Sequence, residues 1–301
     1  MKIVVFGEGM IEERADAAFA WGGDVVNTAV YLARQGAHPQ LMTAMGADEG
    51  SGVIVGAWAA QGVGVEHVLR DPARTAGRYR ISIGPAGERS FSYDRERSAA
   101  RGFFEHELAE GALAWAADAD ILYLTGITLS IFSDAGRARI GEVARQVRAR
   151  GGHVVFDTNY RPAGWSSAAA AWAAIAAIAP AITLAMPSIE DHAALCGPAS
   201  PAEAAATWLA LGCEEVVIKL GEAGALVARD GERATVPAAA PARIIDTTAA
   251  GDSFNAAYIA ARLVEGRPMQ EAARRGADLA AEVIGWPGAI APPEVGRRAA
   301  S

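Results

Sequence analysis

Short apolar runs alternate along this chain with longer, alanine-rich segments of helical character. The runs are Ile3–Phe6, Ile121–Leu124, Val154–Phe156, Ile182–Ala185 and Val216–Leu220. Unpatterned and set between helices, they read as strands of a parallel sheet buried on both faces. Segments such as Ala135–Arg150, closed by Gly151-Gly152, read as helices with a glycine stop. The expected architecture is α/β, a three-layer α/β/α sandwich around a mostly parallel central sheet. No solenoid-type repeat or low-complexity linker divides the 301 residues, so a single domain over 1–301 is expected.

One region departs from this pattern. Arg78–Ile83 and Arg89–Tyr93 alternate in polarity on either side of Gly84-Pro85-Ala86-Gly87, which predicts a β-hairpin. It is expected to form a small β lid, inserted at about 10–22 and 76–98. Such an insertion can cover the carboxyl edge of a parallel sheet, where ligands bind.

Composition narrows the function. A hydrophobic fraction of 51% supports a sizeable core and excludes disorder as the main state. A net charge of -8 argues against a general nucleic-acid binder and against an anionic membrane surface, but leaves room for a small anionic substrate. Cys196 and Cys213 lie in no CxxC or Cys/His cluster, so zinc and redox motifs are absent and a reducing cytoplasm is expected. The opening Met1–Gly7 has too short an apolar run for a secretory signal. Ala168–Met186 is uncharged and long enough to suggest a membrane span. It is mostly alanine, however, and Pro180 interrupts it, so a soluble helix to about Ala179 and a strand Ile182–Ala185 are expected.

The most informative segment is Ile244-Ile245-Asp246-Thr247-Thr248-Ala249-Ala250-Gly251-Asp252-Ser253-Phe254. An apolar stretch enters a turn of small residues and then a helix beginning near Asp252. Small residues admit a ligand close to the backbone, and free N–H groups at a helix start attract phosphate. An aspartate there can accept the proton of an attacking hydroxyl. An ordinary N-cap competes with this reading. No GxxxxGK[ST] occurs, and Gly7-Glu8-Gly9 is only a fragment of G-x-G-x-x-G.

This segment resembles the D-T-x-G-A-G-D signature of ribokinase-type (PfkB) sugar kinases, with Ala249 where that family has glycine. The resemblance implies Asp252 as the catalytic base and the amides of Ala249, Ala250 and Gly251 as an anion hole. A second motif, Gly22-Gly23-Asp24-Val25-Val26-Asn27-Thr28-Ala29, is similar to the family's sugar-binding turn. It implies substrate contacts from Gly22, Gly23, Asp24 and Asn27. The resemblance extends over nearly the whole chain and implies a ribokinase-like fold, with lids that often pair two subunits into a dimer.

Three segments resemble a subgroup acting on keto-deoxy sugar acids: Gly87–Arg95 followed by Ser98-Ala99-Ala100-Arg101, Phe156–Pro162 with Trp165, and the Asp246–Asp252 variant. They imply ATP-dependent phosphorylation of the terminal hydroxyl of 2-keto-3-deoxygluconate to its 6-phosphate. A carboxylate substrate calls for guanidinium groups, and Arg95 and Arg161 are the candidates, with Tyr79, Tyr93 and Asn159 beside the sugar. Solvated surface charge is the competing reading for each arginine. Resemblance also places the nucleotide on Lys219, Gly221 and Gly224, with Ser188 nearby and Gly276 and Asp278 flanking adenine. The family's N-x-x-E element appears as Ser188-Ile189-Glu190-Asp191, which leaves Asp191 for Mg²⁺. A monovalent cation is a further family possibility. Trp286 stands where a polar residue is expected. The alternatives are a family kinase of a neutral sugar (fructose, ribose) or a nucleoside, and a non-catalytic sugar-binding sensor.

Overall fold

Successive side chains of a strand point to opposite faces, so each unpatterned apolar run feeds two cores. The computed structural model describes residues 1–13, 20–83 and 89–297, and for 81–83, 89–91 and 93 the backbone alone. Val4 and Phe6 enter one core with Phe103, Leu113, Ile140, Ile175 and Trp208. Ile3 and Val5 enter the other with Val25, Val30, Trp58, Tyr258 and Leu279. These two cores separate the three layers.

The chain runs β1 (Ile3–Phe6), β2 (Met10–Glu13), β3 (Ala20–Gly22), α1 (Asp24–Arg34), β4 (Pro39–Gly46), α2 (Glu49–Ala60), β5 (Val68–Asp71), β6 (Gly77–Ile83) and β7 (Arg89–Asp94). It continues through α3 (Ala109–Ala116), β8 (Ile121–Thr125), α4 (Gly126–Ser130), α5 (Asp134–Ala149), β9 (His153–Asp157), α6 (Ala168–Ile178), β10 (Leu184–Ala185), α7 (Ile189–Cys196) and α8 (Pro201–Ala210). It ends with β11 (Glu215–Lys219), β12 (Ala225–Arg229), β13 (Glu232–Val236), α9 (Ala250–Ile259) and α10 (Met269–Val283).

Nine strands form the main sheet in the order β13-β12-β11-β10-β9-β8-β1-β4-β5. Only β12 runs against its neighbours among the described residues. Chain order reverses on either side of β1, and the carboxyl ends of β1, β8, β9 and β11 open on that switch point, the place where open α/β sheets hold ligands.

The second sheet is larger than a hairpin. Its order is β3-β2-β6-β7, with β6 and β7 antiparallel and β2 parallel to β6. The expected turn Gly84–Gly87 lies outside the described residues. The expected strand Ile182–Ala185 shortens to β10, because Pro180 initiates a 3₁₀ turn over Ala179–Ala181 and Ile182 caps it. Among the described residues no helix is long and apolar enough to cross a membrane.

Candidate active site

The small-residue turn reaches α9 through an unusual backbone. Ala249, the N-cap, has φ 62°, the left-handed region that an L-residue enters at a cost of roughly 1 kcal/mol. This bend returns the Ala250 amide to the Thr247 carbonyl at 3.2 Å. Of the three amides expected in the anion hole, that of Ala250 is therefore engaged inside the turn. The amides of Gly251 and Asp252, in the first helical turn, have no intrahelical acceptor. Glycine needs no strain at this backbone position, so Ala249→Gly is expected to stabilise the protein by about 0.5–1 kcal/mol, read from urea unfolding.

Asp252 is 9% exposed, and its Oδ2 accepts a 2.8 Å hydrogen bond from Asn27 Nδ2. Burial pushes its carboxyl up to about 7, and the nearby charges of Asp24 and Asp157 push the same way, against Asn27 and Lys219. Asn27 comes from α1, which Gly23 starts: its φ of 129° is glycine territory, and a Cβ there would stand 2.5 Å from the Glu8 carbonyl oxygen. Asp24, also buried, accepts from Asn159 Nδ2 at 2.9 Å. Burial raises its pKa as well, against hydrogen bonds from Thr125, the Val25 amide and Asn159. Asn159 itself has φ 31°, a left-handed conformation that asparagine tolerates, just past β9. Asp24, Asn27, Asn159 and Asp252 thus meet from three distant parts of the chain.

Lys219 ends β11. Its ammonium donates to Asp157 Oδ2 at 2.7 Å and Asn255 Oδ1 at 3.3 Å. Ser188 bridges to Lys219 and caps α7, its Oγ accepting from the Asp191 amide at 3.0 Å. Asp191 faces the loop after β9 instead of open space: one oxygen takes the Thr158 hydroxyl at 2.7 Å and the Tyr160 amide at 3.0 Å. Burial raises its pKa. Among the described residues no group of three or more His, Cys, Asp or Glu side chains is arranged to hold a metal.

The nucleotide candidates divide. Gly221 has φ 56° with nothing within 4 Å of where a Cβ would stand, an open backbone turn. Gly224 has φ 99°, and a Cβ there would collide with the Val236 carbonyl. Gly276 has a packing role: a Cβ would lie 2.9 Å from the Phe254 ring, so its bareness lets α10 close on α9. Asp278 is exposed and lines a cavity of about 700 Å³ with Arg243, Glu282 and Trp286. There the Arg243 guanidinium stacks 5.0 Å over the Trp286 ring, so Trp286 serves as a face for a cation.

On the lid side, the Tyr79 hydroxyl donates to Glu12 at 2.6 Å and lies against Gly22, where any Cβ would collide with it. Arg95 forms an ion pair with Glu8, which is 1% exposed and also accepts from Ser98 Oγ at 2.6 Å. Arg95 is therefore no solvated surface charge, and its positive charge is matched by a buried carboxylate. Arg161 is exposed and donates to the Tyr160 carbonyl at 2.9 Å. The Tyr93 side chain lies outside the described residues.

Glu8, Asp157, Asn255 and Tyr123 were not among the residues expected at the site. Two of them carried a signal: Glu8, two residues past the apolar run of β1, and Asp157, directly after that of β9, are acids at the carboxyl edge of a parallel sheet. Asn255 and Tyr123 are fully buried and carried none.

Residues 3–295 match the profile described as pfkB family carbohydrate kinase. The chain is 38% identical to the 2-dehydro-3-deoxygluconokinase of Escherichia coli (strain K12), over 97% of this chain and 98% of that one. Among solved structures, a PfkB protein from Polaromonas sp. JS666 superposes with TM-score 0.81 at 26% identity, covering 95% of this chain and 96% of the other. A fructokinase from Xylella fastidiosa with bound ATP superposes with TM-score 0.79 at 22% identity, over 96% and 93%, and shows the shared fold. A buried aspartate at a helix start, hydrogen-bonded to a second motif on the neighbouring α1 at the carboxyl edge of a parallel sheet, is thus set in a chain that matches one family from end to end, and the protein belongs to the pfkB family of carbohydrate kinases.

Proposed function

We propose that the protein phosphorylates the terminal hydroxyl of 2-keto-3-deoxygluconate with ATP, and that Asp252 is the general base. The carrying observation is the Asp252 carboxyl: buried, oriented by Asn27, tuned to about 7, and placed in the same helical turn as two amides without helix partners. A base with that pKa is half ionised near neutrality, where proton transfer from a hydroxyl is most effective. The relative's activity on this sugar acid supports the substrate.

Asp252 takes the hydroxyl proton as the oxygen attacks. The Gly251 and Asp252 amides, with Lys219 nearby, offset negative charge where it develops. Asp24, Asn27 and Asn159 present polar atoms to the sugar hydroxyls, and the Gly22-Gly23 turn brings backbone close to them. Arg161 offers its exposed guanidinium to the substrate carboxylate in this reading, whereas the Arg95 charge is already held by Glu8. Bound ATP supplies the transferable phosphoryl group, and Mg²⁺ on its phosphates neutralises part of their charge. The open turn at Gly221, the free amides of α9 and the Lys219 ammonium fit that group. Asp191, with one oxygen engaged by Thr158 and Tyr160, would act on Mg²⁺ held by the nucleotide phosphates through its other oxygen or through water.

The four-stranded sheet serves as the lid and its outer edge as a dimer surface, since an unpaired strand edge is a template for association. Two free cysteines, one of them buried, support a reducing cytoplasm. Release of ADP across a panel of keto-deoxy acids and hexoses tests the function. Turnover is expected with 2-keto-3-deoxygluconate, and preference for fructose or ribose would replace the substrate. Arg161→Leu is expected to lower kcat/KM for the acid by roughly 10- to 100-fold, the value of a charge-assisted pair, and to leave neutral sugars within about twofold.

A further inference from the structure

Lys219 is only 14% exposed and its ion-pair partner Asp157 is 4% exposed. Desolvation offsets most of the attraction in so dry a pair, so stability alone does not account for it. Its surroundings are specific. Asn255 accepts from the ammonium at 3.3 Å and donates to the same Asp157 oxygen that the ammonium uses, at 2.6 Å. The Asn255 amide also reaches the Tyr123 hydroxyl at 3.1 Å, which the Thr28 hydroxyl meets at 3.3 Å. The other Asp157 oxygen takes the Asn159 amide at 3.2 Å. Both oxygens of Asp157 are therefore engaged by protein donors.

An ammonium has three N–H donors. Two are engaged by Asp157 and Asn255, and Nζ stands 3.5 Å from the place where a Cβ on Gly251 would be. The ammonium, with one donor left over, thus lies beside the first turn of α9, near the amides that have no helix acceptor. Without its two partners a four-carbon side chain would sample many rotamers and lose that aim.

We infer that Asp157 and Asn255 are positioning residues: they hold the Lys219 ammonium beneath the anion-binding turn as a fixed charge for the phosphoryl group in transfer. The inference rests on the kinase reading and extends it to residues that touch no substrate. Asp157 and Asn255 then act only through Lys219, which a double-mutant cycle detects. Lys219→Met is expected to lower kcat on the order of 100-fold, the loss of one charge-stabilising donor, with the KM for the sugar acid unchanged. Asp157→Asn is expected to cost at least about tenfold by itself but less than about threefold when Lys219 is already Met. Asn255→Ser removes the bridge without altering charge; it should show the same pattern and serves if Asp157→Asn does not fold. MgATP affinity, measured by titration calorimetry on the same proteins, is the second readout. It should weaken in Lys219→Met and weaken no further in the double variant. Full additivity of the two losses, or a Lys219→Met protein with wild-type kcat and MgATP affinity, overturns the inference. If the wild type releases no ADP with any sugar acid, the substrate assignment fails, and the cycle in MgATP binding still decides the lysine.

Discussion

Asp252→Asn is expected to lower turnover by roughly three to four orders of magnitude while leaving MgATP binding in place. The asparagine keeps the shape and accepts the Asn27 hydrogen bond through its carbonyl, but has no basic oxygen for the hydroxyl proton. The same substitution should stabilise the fold. The Asp252 pKa is about 7 in the folded protein against an ordinary 3.8, so between these values the native state holds a proton that the unfolded chain releases. Stability therefore falls as pH rises through that window, and above 7 the ionised, buried carboxylate costs about 4 kcal/mol. Thermal unfolding of the variant should exceed wild type clearly at pH 8, with the gap narrowing at pH 5. Activity runs the opposite way: kcat/KM of the wild type rises with pH through about 7 as the base ionises. Wild-type turnover in Asp252→Asn would remove the base assignment.

Glu215→Leu is expected to cost about 3–5 kcal/mol of stability without changing the chemistry. Glu215 begins β11 at the end opposite Lys219, with its side chain 4% exposed. Arg262 grips it with Nε at 2.9 Å and Nη2 at 2.8 Å, the Tyr258 hydroxyl donates at 2.6 Å, and Arg229 adds a longer contact at 3.4 Å. Removing the carboxylate leaves Arg262 and Tyr258 without the acceptor they share. Glu215→Gln, which retains an acceptor, should lose less. Urea unfolding reads the difference, and kcat per folded molecule should stay within about twofold, because the cluster lies at the far edge of the sheet. A small loss for Glu215→Leu would mean that Arg262 finds another partner or water.

Much of the fold is legible along the chain because its signals are local. The run Ile3–Phe6 shows its double burial in four consecutive residues, and a helix such as α5 shows its period and its glycine stop within five turns. Pro180 predicts a break in the apolar stretch by its ring alone, though only the structure shows that the break takes up Ile182. The turn around Ala249 is half legible. Its small residues mark a close backbone approach, while the left-handed φ that returns the Ala250 amide to Thr247 follows from the path of the loop.

Residue identity by itself determined that this chain forms a parallel α/β sandwich, that an aspartate opens a late helix after small residues, and that a diglycine turn opens an early one. These are properties of spacing, propensity and missing side chains, and each is complete within a dozen residues. The tertiary structure alone decided what surrounds those groups. Asn27 meets Asp252 across 225 residues, Asn159 meets Asp24 across 135, and Lys219 meets Asp157 across 62. Arg95, expected as a solvent-facing charge or a substrate clamp, proves to be matched by a glutamate buried beyond β1. Ionisation and orientation depend on burial and on charges a few ångströms away, so the chemistry of the site exists only once the sheet has brought its strand ends together.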